Sequence, residues 1–392
     1  ARTPSRPSGR AAWSLPILEG LDPFPASAPT RESLTPTAGT KSPYSYDGLN
    51  RLTRAKETVG LNVTASWSYC YDPNGNRTYD STSTAATVLC PGQPDGPAPT
   101  YTYDATDALI GRAGQPANAF AYDDNGAEVR AVGSTSRTNG TWSPRGQLTG
   151  LTANGNAHTY AYAGEGNKER LGFDNRGYQH TAVGLTSQTG IDAATIIREP
   201  NGTPVALRTN GNSYYFIADR QGSTIALVAA NGSVANSYSY EPFGAERGLV
   251  ESVNNPFRYI GGSFAEDTGL YHLEARYYDP ALGRFTQPDP SGQEANAYVY
   301  SENDPCNASD GTGLKTHRVT VKCQVVHYVR GTVTGYVFGF GKGNTREKAV
   351  KAAQKDANRH VPKGHYKRHC HVVPKGGLIT IGKGGSTYGD WV

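Results

Sequence analysis

Methionine is wholly absent from the 392 residues, the initiator included, so the chain is expected to be a fragment of a longer polypeptide. No run of about 18 apolar residues occurs, so no segment is expected to cross a membrane as a helix. The opening Ala1-Arg-Thr-Pro carries no apolar signal-peptide core, and targeting information is expected upstream. Charged residues make up 18% and hydrophobic residues 36%, a modest supply for a core. Disorder is nevertheless excluded, because disordered chains lack aromatics and this one holds 25 tyrosines. With 47 glycines and 25 prolines, the composition suits many short strands joined by tight turns. The length allows two or three domains.

Charge divides the chain near Leu314. Residues 315–392 hold 15 basic and 3 acidic residues, a net of +12, while the rest holds 23 basic and 31 acidic, a net of −8. Six of the nine histidines also lie in this basic tail. Such opposition predicts a tail that meets an anion and an acidic part that sequesters it. The five cysteines allow two local bridges, Cys70 with Cys90 and Cys323 with Cys370, leaving Cys306 free. That would suit an oxidising compartment, but the spacing equally fits five small buried residues.

Residues 1–43 form a Pro/Ser-rich arm with one apolar island, Trp13-Ser-Leu-Pro-Ile-Leu18. Repeats begin at Tyr44. Each unit is an aromatic, one residue, Tyr-Asp, a Gly/Asn turn and a short apolar-basic strand. Instances are Tyr44-Ser-Tyr46-Asp-Gly, Tyr69-Cys-Tyr71-Asp-Pro-Asn-Gly, Tyr101-Thr-Tyr103-Asp, Phe120-Ala-Tyr122-Asp-Asp-Asn-Gly, a degenerate Thr141-Trp142-Ser-Pro-Arg-Gly, and Tyr160-Ala-Tyr162-Ala-Gly. Alternation puts the rings on one strand face. The turns reverse the chain into hairpins, whose edges are satisfied by stacking into one long sheet. These units resemble the YD (Rhs) repeats of bacterial Rhs proteins and of the related teneurins. The resemblance spans about residues 44–250 and implies a mainly β fold, a YD-repeat β-solenoid or partial shell. Six repeats are too few to close a large cocoon, so the rest of the shell is expected upstream in the same polypeptide or on another chain.

Residues 251–314 follow a more specific pattern. The stretch from Phe257-Arg-Tyr-Ile-Gly-Gly to Arg276-Tyr-Tyr-Asp-Pro-Ala-Leu-Gly-Arg-Phe-Thr-Gln-Pro-Asp289-Pro is very similar to the Rhs-associated core domain. That similarity implies a plug inside the shell. It also implies two Asp-Pro-x-Gly boxes that cut the chain by aspartyl autoproteolysis and free the domain that follows. The first box, Asp289-Pro-Ser-Gly292, is intact. The second reads Asp310-Gly-Thr-Gly313, with Gly311 in place of proline, and Leu314 matches the cleavage position. Two carboxylates held close cannot both ionise, so one can serve as acid and the other as base for a water. Arg276 is the expected partner of the ionised carboxylate. Losing one proline loosens the geometry, and cleavage after Leu314 is expected to be impaired but not abolished. The alternative role for both aspartates is to cap turns.

The tail, residues 315–392, reads as a small α+β module in the order β-β-α-β. Strands are expected at 318–329, 332–340 and 366–373, with a helix ending near Arg359, capped by Asn344 with Glu347 three residues on. Val319, Val321, Cys323 and Val325 share one face of the first strand. In the helix, Val350, Ala353 and Ala357 make an inner stripe, and Lys348, Lys351, Lys355 and Arg359 a basic one. On the third strand Cys370 is expected to share a face with Tyr366 and Val372, with Lys367, His369 and His371 facing out.

By position and charge the tail resembles the variable toxin of an Rhs protein. The helix stripe, Lys322 and Arg368 are the expected phosphate contacts. His369 and His371, then His365 and Lys367, are candidates for metal-free RNA cleavage, with histidine as acid and base. No cofactor or metal is expected, because a zinc set of His365, His369, His371 and Cys370 would be split between faces. The resulting expectation is a secreted or cell-surface toxin fragment with a nuclease effector and an immunity partner. The alternative is a structural surface protein whose basic tail binds polyanions without catalysis.

Overall fold

A computed structural model of the chain describes residues 44–373, apart from 60–61, 84–87, 165–166, 293, 315–316 and 344–345. The arm at 1–43, the glycine-rich end after residue 373 and the expected cap at Asn344 lie outside the described residues.

One five-residue turn recurs through the described repeats. At Asp123 the backbone N–H donates to the Ala127 carbonyl at 2.8 Å, and the Gly126 N–H donates back to the Asp123 carbonyl at 2.9 Å. The Asp123 carboxylate accepts from the Asn125 and Ala127 N–H groups at 2.9 and 2.8 Å. Gly126 sits at φ +78°, where a side chain would be strained. The same turn starts at Asp47, Asp72, Asp104 and Asp219, with Asn50, Gly75, Asp107 and Gly222 in the left-handed position. At the degenerate repeat the Ser143 hydroxyl replaces the carboxylate, accepting from Arg145 and Gln147. The aspartate of each Tyr-Asp pair is therefore a turn anchor. The left-handed residue adds the bulge that such hairpins need, seen as a register shift at Ala121/Tyr122.

Hairpins made this way pair neighbour to neighbour. Strands from Tyr44–Tyr46 to Arg77–Ser81 form a four-stranded sheet. Fourteen strands, in strict chain order from Phe120–Tyr122 to Glu246–Glu251, form one long antiparallel sheet. Its two end strands do not pair with each other, so it is an open shell. The first ring of the aromatic pairs, Tyr69, Tyr101, Phe120 and Tyr160, is buried.

From Phe257 the chain leaves this sheet and fills its buried face. Four short strands, Ser263–Ala265, Leu270–Leu273, Arg276–Asp279 and Arg284–Phe285, make a separate sheet. Every residue of the two middle strands is buried, which requires cover on both faces. The cover is mixed: Tyr271, Tyr278, Phe285 and Tyr300 pack with Leu52, Trp67, Tyr69 and Tyr238 of the shell. Polar groups of the plug are satisfied by shell turns. Tyr298 donates to the Gly126 carbonyl at 2.7 Å, Asn303 to that of Gly75 at 2.7 Å, and Arg284 to that of Asp107 at 2.6 Å. Arg137 of the shell bridges buried Glu128 at 2.9 Å and plug Asp279 at 2.5 Å.

The tail is a β-β-α-β unit. Strand His317–His327 lies between Val333–Gly343 and His365–Val372 in an antiparallel sheet, and helix Arg346–Arg359 covers one face. Gly339 and Gly341 let the helix backbone rest on the strand, because a Cβ at either would come within 2.0 and 2.1 Å of the Ala353 and Ala349 carbonyls. The buried helix stripe is Ala349, Ala353 and Ala357, with Val350 only partly packed. The sequence reading placed Val350 in that stripe. Space one glycine wide selects alanine instead.

Candidate functional site

Two regions gather the candidate residues. At the plug's end, Arg276 is 1% exposed and organises both aspartate boxes. Its Nη2 donates to the Asp310 carboxylate at 3.2 Å, its Nε to the Gly313 carbonyl and its Nη1 to the Ala297 carbonyl at 3.0 Å. The guanidinium also stacks 3.4 Å from the Phe285 ring centre. The Ala297 carbonyl accepts a second bond, at 2.9 Å, from the backbone N–H of Asp289. One carbonyl thus ties the first box to the centre that holds the second. Burial pulls the Arg276 guanidinium below its ordinary value against the opposing pull of Asp310 and Asp289.

Asp310 Oδ1 accepts from the Leu314 N–H at 3.0 Å and from the Thr312 hydroxyl at 3.2 Å. That hydroxyl also lies 3.5 Å from the Leu314 carbonyl oxygen. Burial raises the Asp310 carboxyl above the ordinary carboxylate range, and Arg276, Leu314 and Thr312 only partly offset this. A carboxyl with a raised pKa beside the residue-314 peptide has the character of a general acid. Asp289 is 6% exposed and accepts from the Ser291 N–H at 2.9 Å and hydroxyl at 2.6 Å. Both aspartates therefore cap their own turns, and the Asp310 carboxylate also meets Arg276. Thr312, which the sequence reading passed over, occupies the variable position of the second box.

Gly313 explains why that box ends in glycine. It has φ +61°, and a Cβ would press to 2.4 Å from the Leu273 carbonyl. Gly311 differs, since a Cβ there meets nothing within 4 Å.

In the tail a bulge redistributes the expected residues. Lys322 pairs with His371 but Gln324 with Arg368, so two third-strand residues oppose Cys323. His369 takes up the extra length at φ +47°. Facing therefore inverts within the strand, and the single outward face expected for Lys367, His369 and His371 does not form. Lys367 reaches the helix and donates to the Gln354 carbonyl at 2.7 Å. His365 pairs across from His327, their rings 5.0 Å apart, and the His327 Nδ1 accepts from the Val329 and Arg330 N–H groups. His371 and Arg368 lie on the open face with Lys322. His327 escaped the sequence reading, although cross-strand register could have found it. Lys351, Lys355 and Arg359 are exposed on the helix, and the Lys348 side chain is outside the described part. Disulfides join Cys70 to Cys90 and Cys323 to Cys370, and Cys306 is free, its thiol pushed up by burial. Among the described residues no group of three or more His, Cys, Asp and Glu side chains gathers to hold a metal.

Residues 173–306 match the family model of the teneurin YD-shell. The fold is an Rhs/YD-repeat shell. The chain is 27% identical over 306 residues, 70% of its length and 11% of the relative's, to the tRNA3(Ser)-specific nuclease WapA of Bacillus spizizenii. It is 26% identical over 295 residues to teneurin-1 of Gallus gallus, covering 67% of this chain and 10% of that protein. The YD shell also superposes on the crystal structure of TcdB2-TccC3-TEV with a TM-score of 0.52 at 20% identity, over 69% of this chain and 15% of that one. The chain spans about a tenth of the length of these curated relatives. The family match ends at residue 306, before the basic tail begins.

Proposed function

We propose that the chain is part of an Rhs-type toxin, in which shell and plug hold a basic effector and release it by cutting after Leu314. The observation that carries this reading is the buried Arg276 centre. It joins Asp289 to Asp310, and Asp310 to the residue-314 backbone, immediately before the chain turns basic. In this reading Asp310 is the acid, with Thr312 linking it to the Leu314 carbonyl, and Asp289 is the base that activates water. The upstream shell belongs to the same polypeptide, in keeping with the small share of the relatives' length that the chain spans. Two disulfides support a secreted or cell-surface setting, and the effector is delivered into a target cell with an immunity protein in the producer.

The effector is read as a metal-free nuclease. His371 with Lys322 and Arg368 on the open sheet face, or His365 with His327 at its end, supply acid, base and phosphate contacts. The split of the expected histidines favours one competing view, a tail that binds polyanions without cutting them. Incubating residues 315–392 with RNA and DNA, with and without chelator, separates the two. Chelator-resistant cleavage lost in His371→Ala or His365→Ala supports the nuclease, and salt-dependent binding with intact substrate supports the competitor.

A further inference from the structure

The tail sheet has one covered face and one open face. Val321, Cys323, Val325 and Val337 pack under the helix. On the other face three rings follow one another along strand Val333–Gly343: Tyr336, Phe338 and Phe340. Alternate positions on one strand place them about 7 Å apart. Tyr336 is 53% and Phe340 58% exposed, an unusual outlay of apolar ring on water. Cations are set among them. Lys322 pairs with Phe338, and its Nζ stands 4.3 Å from the Tyr336 ring centre. His371 continues that row, and Arg368 stands beside Gln324 in the next. Asp356, on the helix, reaches the backbone of strand Val333–Gly343, its carboxylate accepting from the Phe340 N–H at 3.1 Å.

We propose that this open face is a platform for single-stranded nucleic acid, on which bases stack against Tyr336, Phe338 and Phe340 while Lys322, Arg368 and His371 take the phosphates. The inference deepens the reading of the tail as a nucleic-acid effector and rests on it. Charge complementarity names the partner, because rings interleaved with cations match a chain that alternates bases with phosphates. Single strands are favoured over duplexes because paired bases offer no ring face, and a flat sheet of exposed rings gains nothing from phosphates alone. Base stacking also tolerates any sequence, so selectivity among targets would come from elsewhere in the tail.

The test is fluorescence anisotropy of the full chain with labelled U10 RNA and dT10 DNA, a ten-base-pair RNA duplex, and inorganic polyphosphate as competitor. Probe integrity is checked on a gel. The platform predicts that both single strands bind more tightly than the duplex, with RNA against DNA preference reporting any contact to the 2′-hydroxyl. Tyr336→Ala with Phe340→Ala should weaken single-strand binding by about tenfold or more per ring while leaving polyphosphate competition unchanged. Tyr336→Trp with Phe340→Trp should retain binding, which guards against a merely unfolded alanine variant. Equal binding of wild type and the alanine variant, or of single strand and duplex, overturns the platform, as does the absence of single-strand binding. Cleavage of probe with unchanged binding by the alanine variant would sink the platform and leave the nuclease standing. Ring-dependent binding without product does the reverse.

Discussion

Arg276 shows how much one side chain can organise when it is buried. Three carbonyl and carboxylate partners and a ring occupy its guanidinium, and two of those partners belong to the second box. Leaving such partners uncompensated is costly, so Arg276→Met is expected to destabilise the plug by about 3–5 kcal/mol, read as a fall in the urea midpoint. Thr312 separates chemistry from folding, because it is only partly buried and touches both Asp310 and Leu314. Thr312→Val should slow cleavage with little change in stability, and Thr312→Ser should restore it. Gly311→Pro should do the opposite. Space is free at its Cβ, so proline removes unfolded-state freedom, adds about 0.4–1 kcal/mol and speeds the cut.

The pH signs follow from burial. Burial lowers the plug's His272 to about 3, and its Nε2 donates to the Asn167 carbonyl at 2.7 Å. Between its ordinary value of 6.5 and about 3 the unfolded chain binds the proton and the folded chain refuses it. Stability therefore falls as pH drops through that window, by up to several kcal/mol, and His272→Gln should flatten the slope of unfolding free energy against pH. Asp310 acts with the opposite sign. Its raised pKa makes the folded state the better proton binder, so its burial weakens the fold as pH rises from the ordinary carboxylate value through the raised one. The protonated acid needed for cutting is lost over the same range, so cleavage should slow as pH rises.

At the scale of elements, the five-residue turn recurs along the repeats, and two glycines test it. Gly146, at φ +73°, has nothing within 4 Å of a built Cβ, so alanine should cost only the backbone penalty of about 1–2 kcal/mol. Gly126 has the same backbone, but its Cβ would meet the Tyr298 hydroxyl at 2.6 Å and the Pro288 ring at 3.0 Å. Gly126→Ala should cost clearly more, measured as the difference in melting between the two variants. Turns of this kind were legible where Tyr-Asp precedes Gly or Asn. They were not legible after residue 190, where Glu199 and Glu241 start the same backbone turn with Gly202 and Gly244 in the left-handed place. There only the glycine three residues on remains as a signal. The tail's element order was readable from its alternation and its helix. The facing of its third strand was not, because a bulge at His369 is a decision of the sheet and the neighbouring Cys323–Cys370 disulfide rather than of local pattern.

At the scale of the molecule, the plug earns its place by being buried on both faces, which neither shell nor plug could achieve alone. The tail is built differently. Its core draws only on residues 319–372, and its disulfide closes within the same span. An acidic shell and a basic tail can attract each other until the join is cut, and high salt should then loosen a cut tail from the shell. The composition break at Leu314 and the two aspartate boxes are visible in the sequence, and the fold adds the burial of Arg276 and the bond from the Leu314 N–H to Asp310. Intact-mass measurement of the purified chain, held at mildly acidic and neutral pH, tests cutting after Leu314 most directly. The account predicts two species, residues 1–314 and 315–392, that grow together with time and vanish in Asp289→Asn and Asp310→Asn. A wild-type chain that stays whole, or aspartate variants that yield the same two masses, would contradict it.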